Sequence, residues 1–547
     1  MAGLAAIQYA AEAFDIRVGK LMGRQMAGQT FLEAWVRYSG ADPLTSWTGD
    51  DQQRDAFEAH VRELNATAPV ASAHFTDVGP LRAAGALWLA DPSLARFAWH
   101  RRWFAQKDWS IVGVTHTLST HAAMDRLVEL VRAPIQPWDA LICTSQAAKE
   151  AVMTVFRAEA EYLHSRMGAR TFTLPLLPVI PLGVHCSALR HDPEARRQWR
   201  GELGLSDADV AVLQFGRLAI HAKAHPTPLY NALVEAGRRT GRRLHLILAG
   251  TFVNDLQEGF YRQLAVDTAD YVATHFVDGN QADVGGVRSA ADAGILLSDN
   301  VQETFGLAPV ELMAAGLPIV ASDWDGLRDT IEHGVTGFRA DTLAPPPGAG
   351  ELLAYRYAMA DPADAYIGGA AQSTAVDIGQ VVDALERLVL DRDLRLTMGE
   401  AGRKRAEALF DWPVVIAAYR QLLQELEQVR LATDEVSARK GTADPARMDP
   451  YLSFGAHASG KITEELKIQR AHNAPSKVAD VVGGLQATLM NRFALPAVAD
   501  LDAIVEALGE NPISVGALAD LLPGIPRGQM TTAVGWLLKF GFARRVA

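Results

Sequence analysis

From about residue 208 the chain alternates short apolar runs with amphipathic stretches, and this alternation narrows the available folds more than any other feature. VAVLQFG (210–216), LHLILAG (244–250), YVATHFVDG (271–279), AGILLSD (293–299) and LPIVASD (317–323) have the length and composition of buried strands. PLYNALVEAGRR and GLAPVELMAAG, which lie between them, carry helical periodicity. Buried strands separated by helices predict an α/β fold, a parallel sheet covered on both faces. ALWLAD (86–91), SIVGVTHTL (110–118), DALICTS (139–145) and LLPVIPLGV (176–184) repeat the rhythm more loosely and predict a second Rossmann-like domain.

DWPVVIAAYRQLLQELEQVR (411–430) is an amphipathic helix with Val415, Tyr419, Leu422, Leu426 and Val429 on one stripe. After Arg430 the polar, interrupted LATDEVSARKGTADPARMDP reads as a linker. The C-terminal segment then reads helix (DLDAIVEALGE), short strand (PIS), helix (VGALADLLPG), helix (RGQMTTAVGWLLKF) and strand (FARRV), the order of a winged helix. Around 340–375, APPPGAGELL suggests an inserted surface loop. The organisation expected is two Rossmann-like domains, 1–190 and 191–410, a crossover helix 411–430, a linker 431–490 and a winged-helix-like module 491–547.

The formal charge of −12 over 547 residues argues against a chain built mainly to grip nucleic acid or an anionic membrane. Cys143 and Cys186 are the only cysteines and show neither CxxC nor metal spacing, which points to a reducing compartment. MAGLAAIQYAAEAFD lacks the basic start of a signal peptide, and no apolar run approaches the ~20 residues of a spanning helix. The expectation is a soluble, cytoplasmic chain.

ETFGLAPVE (303–311) carries the chemistry. A loop after AGILLSD leads into a helix near Leu307, with Pro309 in its first turn and Gly316 ending it. The amides of Phe305, Gly306 and Leu307 should therefore emerge at the carboxyl edge of a parallel sheet, where free N–H groups and the helix dipole favour a phosphate. Glu303 before the helix and Glu311 within it can reach two ends of one extended ligand, such as the two sugars of a nucleotide sugar. An isolated pair at this spacing is an ordinary helix with two solvated glutamates. Here VLQFGRLAIHAKAHP (212–226) adds Arg217 and Lys223 at the same edge, two cations able to neutralise a diphosphate.

These residues resemble the nucleotide-binding domain of the retaining GT-B glycosyltransferases of family 4. The family's G-R-L…K pattern falls on Gly216, Arg217, Leu218 and Lys223, and its E-x-F-G-x-x-x-x-E on Glu303, Phe305, Gly306 and Glu311, followed by a similar A-x-G-x-P-(I/V)-V-A-S at Ala314 to Ser322. GVTHTLS resembles the segment with the family's active-site histidine, at His116; IPLGV and FDW resemble its interdomain connections.

The resemblance implies two domains facing a cleft, the donor on 191–410 and the acceptor mainly on 1–190, and metal-independent transfer of a sugar, a hexose by preference, from a nucleotide-diphosphate sugar to an unidentified acceptor with retention. No cofactor is implied beyond that donor. By the same resemblance Arg217 and Lys223 stabilise the departing diphosphate, Glu303 contacts the donor sugar, Glu311 holds the ribose, and His116 orients hydroxyls at the reacting centre. Phe305, Gly306 and Leu307 supply the helix N-terminus. Three positions depart from the pattern: the paired N-terminal glycines, which by the resemblance bind substrate at its phosphate, become Gly23 and Gly28, His185 replaces an acidic residue, and Ala224 replaces a glycine.

His221 and His225 are four apart, but no carboxylate follows at ligand spacing and Pro226 opposes a helical presentation, so no metal site is expected. His116 and His121 also lack a third ligand. Residues 491–547 balance five basic against five acidic side chains, and the third helix offers only Arg527 and Lys539, too few for nucleic-acid binding. With Trp536 and Leu538 on that helix, the module is expected to contact protein, another copy of the chain or a partner enzyme. The alternative function is a non-catalytic regulator on a transferase fold, using the module to bind protein or DNA; retention of Arg217, Lys223, Glu303 and Glu311 counts against it.

Overall fold

The structure, a computed structural model, describes residues 5–18, 23–64, 67–281, 284–434, 441–472, 477–488 and 496–546. The chain forms two compact units, Met1–Asp444 and Pro445–Ala547.

The first unit holds two six-stranded parallel sheets. One comprises β1 (Ala6–Gln8), β2 (Leu44–Thr48), β3 (Val70–His74), β4 (Ala86–Trp88), β5 (Ser110–Val114) and β6 (Ala140–Ile142), in the order β3-β2-β1-β4-β5-β6. The other comprises β7 (Ala211–Phe215), β8 (Leu244–Gly250), β9 (Val272–Asp278), β10 (Ala293–Leu296), β11 (Ile319–Ser322) and β12 (Gly337–Ala340), in the order β12-β11-β10-β7-β8-β9. Both sheets are doubly wound, with the winding reversing between β1 and β4 and between β7 and β10.

Successive side chains of these strands feed opposite faces. In β8, Leu244, Leu246 and Leu248 join the core that contains Tyr230 and Leu385, whereas Ile247 and Ala249 join the one that contains Phe305 and Leu312. Residues 176–184, expected as a strand, touch β6 only through isolated bridges at Leu176 and Val179. Pro175, Pro178 and Pro181 remove the donors that a continuous ladder needs.

The helix Trp412–Ala432 returns to the first sheet and buries Trp412, Val415, Tyr419, Leu422 and Leu426 in its core. Val429, assigned to that stripe from the sequence, is exposed instead. Val184 and Trp412 exchange backbone contacts across the two interdomain passages, with Val184 N–H donating to the Phe410 carbonyl at 2.8 Å and Trp412 N–H to the Val184 carbonyl at 3.1 Å. The inserted segment is not a plain loop. It forms β13 (Thr342–Leu343) and β14 (Ala375–Val376), paired antiparallel, with helices Glu351–Met359 and Ala363–Ala371 between them.

In the second unit the expected helices and short strands appear as Val498–Ala507, β16 (Ile513–Ser514), Val515–Leu521, Arg527–Lys539 and β17 (Ala543–Arg545). The segment read as a linker contributes to this unit: β15 (Lys467–Arg470) lies between β16 and β17 and pairs antiparallel with both, and Val478 and Val482 of helix Val478–Thr488 enter the core. The sheet's middle strand thus precedes the helices, unlike the wing expected from the sequence. Trp536, expected as a contact residue, is buried against Phe542 at 5.8 Å between ring centroids. Arg527 is occupied by Glu464 and Asp520, at 2.7 and 2.6 Å. Among the described residues no helix is long and apolar enough to cross a membrane.

Candidate active site

In open parallel sheets ligands bind beyond the strands' carboxyl ends where the winding reverses. At the β7/β10 reversal β7 runs into Gly216, whose φ of 118° suits glycine, and a Cβ on Gly250 would lie 1.8 Å from the Gly216 carbonyl oxygen. Arg217 follows and is exposed. Lys223 N–H donates to the Ala219 carbonyl at 2.9 Å, and the buried Asn300 Nδ2 donates to the Lys223 carbonyl at 2.7 Å. That bond ties the loop after β7 to the loop after β10.

The second loop carries Glu303, whose carboxylate accepts from Lys223 Nζ at 2.6 Å. Glu303 is only 8% exposed in its side chain against 37% for Lys223, so the lysine reaches from the cleft to a nearly buried anion. Gly306 caps helix Leu307–Ala314 at φ 81°, and a side chain there would meet Leu327 Cδ2 at 2.9 Å. No side chain caps this helix, so its first-turn amides face outward uncontested by one. Phe305 is buried against Phe410, with ring centroids 5.8 Å apart, and contributes through its backbone; Leu307 is half-buried at the helix start.

Glu311 has a partner the sequence reading missed. Arg288 Nη1 lies 3.7 Å from Glu311 Oε2, and its guanidinium stands over the Phe215 ring at 5.2 Å. Burial raises the Glu311 carboxyl while Arg288 opposes the rise, and burial lowers the Arg288 guanidinium. Arg288 lies in the short turn Val284–Ala290, with no motif around it to flag it.

The first domain closes on the Glu303 loop. Thr304 Oγ1 donates to the His116 carbonyl at 2.9 Å, Thr144 Oγ1 donates to the Thr304 carbonyl at 3.4 Å, and Gln146 N–H donates to Asp329 Oδ2 at 2.5 Å. His116 is thereby held beside the loop of Glu303. Gly28 has a packing role: a Cβ there would meet the Ala13 carbonyl oxygen at 1.9 Å. Gly23 opens helix Gly23–Arg37, and residues 19–22 before it lie outside the described residues.

His221 and His225 do not converge. His221 faces Asp364 at 3.6 Å, and His225 accepts from Thr227 N–H at the start of helix Pro226–Thr240. Among the described residues no group of three His, Cys, Asp or Glu side chains is placed to hold a metal ion.

Asp325 was also missed. At φ 44° it is the only non-glycine with positive φ among the described residues. Burial first, then the neighbouring Glu303 carboxylate, push its carboxyl up to about 8. Asp299, at the end of the β10 segment, is raised to about 7 by burial.

Residues 195–345 match the family model described as Glycosyl transferases group 1. That group 1 domain contains Arg217, Lys223, Arg288, Glu303 and Glu311. The chain is 26% identical over 274 residues to a GDP-mannose-dependent alpha-(1-6)-phosphatidylinositol monomannoside mannosyltransferase of Mycobacterium tuberculosis, an alignment covering 48% of this chain and 60% of that one. It is 30% identical over 254 residues to a D-inositol 3-phosphate glycosyltransferase of Actinosynnema mirum, covering 43% and 56%. The chain thus spans less than two thirds of the length of either relative. Among solved structures, Anabaena HepE in complex with UDP superposes with a TM-score of 0.50 at 17% identity, covering 77% of this chain and all of that one. A glycosyltransferase from Rickettsia africae gives 0.50 at 12%, covering 79% and 100%. The architecture shared with these structures is the GT-B fold, two Rossmann-like domains.

At the edge of the group 1 domain a lysine, an exposed arginine and an uncapped helix N-terminus concentrate positive potential beside a held carboxylate. Such a set can receive a diphosphate and, next to it, accept hydrogen bonds from sugar hydroxyls.

Proposed function

We propose that this protein is a glycosyltransferase that moves a sugar from a nucleotide-diphosphate sugar to an acceptor hydroxyl with retention of configuration. The observation that carries the reading is the Lys223–Glu303 pair beside the N-terminus of helix Leu307–Ala314, at the winding reversal of the second sheet. The group 1 match over 195–345 supports it, as do relatives whose names specify sugar transfer and a structural neighbour bound to UDP.

Arg217, Lys223 and the helix amides stabilise the charge that develops on the departing diphosphate. This fixed positive charge supplies what a divalent cation would otherwise provide. Glu303 accepts hydrogen bonds from the donor sugar, Glu311 holds the ribose with Arg288 fixing its carboxylate, and His116 orients hydroxyls across the cleft. The bond from the anomeric carbon to the acceptor oxygen forms as the bond to the diphosphate breaks. The acceptor proton passes to the departing phosphate oxygen, so no side chain is assigned as general base. The experiment is incubation with a panel of nucleotide sugars, following nucleoside diphosphate release. Release from at least one is expected; no release and no binding of any member would refute the reading.

A further inference from the structure

A cavity of about 760 Å³ opens between the two domains, beside the Glu303 loop. Its first-domain wall is made by two helices, His121–Arg132 and Gln146–Met167, which present Met124, Leu127, Val128, Ala147, Ala151 and Val155. These six are apolar; the one charged residue on the same two helices that lines the cavity, Glu159, is paired with Arg132 at 3.3 Å. Ser119, just before the first of these helices, adds a hydroxyl on the same side, and the second domain faces them with Thr304, Asp323, Asp325 and Arg328 beside Val301 and Trp324. Thr304 directly follows Glu303, so this polar lining is continuous with the candidate active site.

Two features mark the polar side as unfinished by the protein alone. Ser119 is 3% exposed, yet its hydroxyl has no hydrogen-bond partner, and a buried hydroxyl left unsatisfied is destabilising. Asp325 adopts a backbone conformation that its side chain disfavours, and strain of this kind concentrates where a side chain must be aimed. The inserted segment completes the site: Tyr366 lines the cavity and stacks on Tyr357 at 4.5 Å, and Tyr357 in turn stacks on His121 at 3.9 Å and donates its hydroxyl to the Ser119 carbonyl at 3.0 Å.

We propose that this cavity receives the acceptor, and that the acceptor is an amphiphile: a hydroxylated head group held by Ser119 and Asp325 next to Glu303, and an aliphatic chain laid along the apolar helix wall. The size suits one drug-sized ligand, and a wall of this composition recovers hydrophobic free energy only from an aliphatic or similarly apolar occupant. A wholly hydrophilic acceptor would leave the accessible parts of Met124, Val128, Ala147, Ala151 and Val155 solvated. The assignment rests on the transferase reading for its chemistry, but the cavity's occupant can be tested without turnover.

The test uses the full chain with two probes, n-decyl β-glucoside below its micelle concentration and methyl β-glucoside. Binding is followed by calorimetry and, separately, nucleoside diphosphate release from the donor panel is measured with and without each probe. The decyl compound should bind at least about tenfold more tightly than the methyl compound, because its extra methylenes are buried. Ala151→Trp, which fills the cavity from a helix surface, should abolish that difference while its thermal melt matches wild type. Val155→Trp provides a second filling variant should the first fail to fold. Equal binding of the two probes, or a decyl preference that survives both filling variants, would overturn the inference whatever the turnover result. Decyl binding with neither release from nor binding of any donor would uphold the cavity and defeat the transferase reading. Release with no decyl preference would do the reverse.

Discussion

Lys223 Nζ lies 2.6 Å from Glu303 Oε2, joining two side chains eighty residues apart that stand at the carboxyl ends of neighbouring strands. Because Glu303 is almost buried, the lysine has a structural duty as well as a place facing the diphosphate. Lys223→Ala should therefore lower stability, by about 1–3 kcal/mol, since it strands a buried carboxylate. Adding Glu303→Gln should restore part of that loss without restoring activity. Urea melts and nucleoside diphosphate release check the two halves separately; unchanged stability in Lys223→Ala would show the pair to be energetically idle.

Arg288 should tune Glu311. Burial already raises the Glu311 carboxyl and Arg288 restrains it, so Arg288→Ala should move the carboxyl further up. If the ionised carboxylate holds the ribose, donor affinity in this variant should weaken and begin to fall at a higher pH than in wild type. Calorimetric titration of nucleoside diphosphate across a pH series is the measurement, and an unmoved pH profile would separate Arg288 from Glu311.

Asp299 makes stability depend on pH. Its folded carboxyl is raised from 3.8 to about 7 by burial, so the folded chain favours the protonated form. The contribution is full below the unfolded value and is lost as pH rises toward 7, at most about 4 kcal/mol in all. Asp299→Asn removes the titration. Its melting temperature should exceed that of wild type near pH 8, with the gap closing near pH 4. A constant gap across that range would contradict the assignment.

Arg217, Lys223 and the helix amides supply fixed positive charge, so turnover should persist in a strong chelator. Loss of activity in EDTA, restored by magnesium or manganese, would require a metal ion in the mechanism.

Truncation after Asp444 should leave nucleoside diphosphate release intact, because all the proposed donor contacts lie in the first unit. If the second unit binds protein, the truncation should alter oligomeric state or acceptor use instead. Salt-sensitive DNA binding by 445–547 would contradict the pairing of Arg527 with Glu464 and Asp520.

The α/β class, the strands from β7 to β11 and the loop around ETFGLAPVE are legible in the chain's local patterns. Each of these is written in local terms: apolar runs of strand length, glycines at helix ends, and charged residues immediately after a strand. The short strands β1, β2 and β3 escaped because Ala6–Gln8, Leu44–Thr48 and Val70–His74 mix polar residues into brief runs; β1 and β2 draw their burial from neighbours, and β3, at the sheet edge, is largely accessible. β15 escaped for a related reason, since Lys467–Arg470 is polar at three of four positions and becomes a strand by lying between two others.

The side-chain pairings arise only on packing. That Glu303 would be held by Lys223, Glu311 by Arg288, and the His116 carbonyl by Thr304 depends on which strand ends meet at a reversal of winding and on how two domains close. No periodicity records those distances. The cavity is the extreme case, because its wall is assembled from two amphipathic helices of one domain and a strained loop of the other, and each reads in sequence as an ordinary element. Local patterns encode what a segment becomes; only the packed chain brings side chains hundreds of residues apart within reach of one ligand.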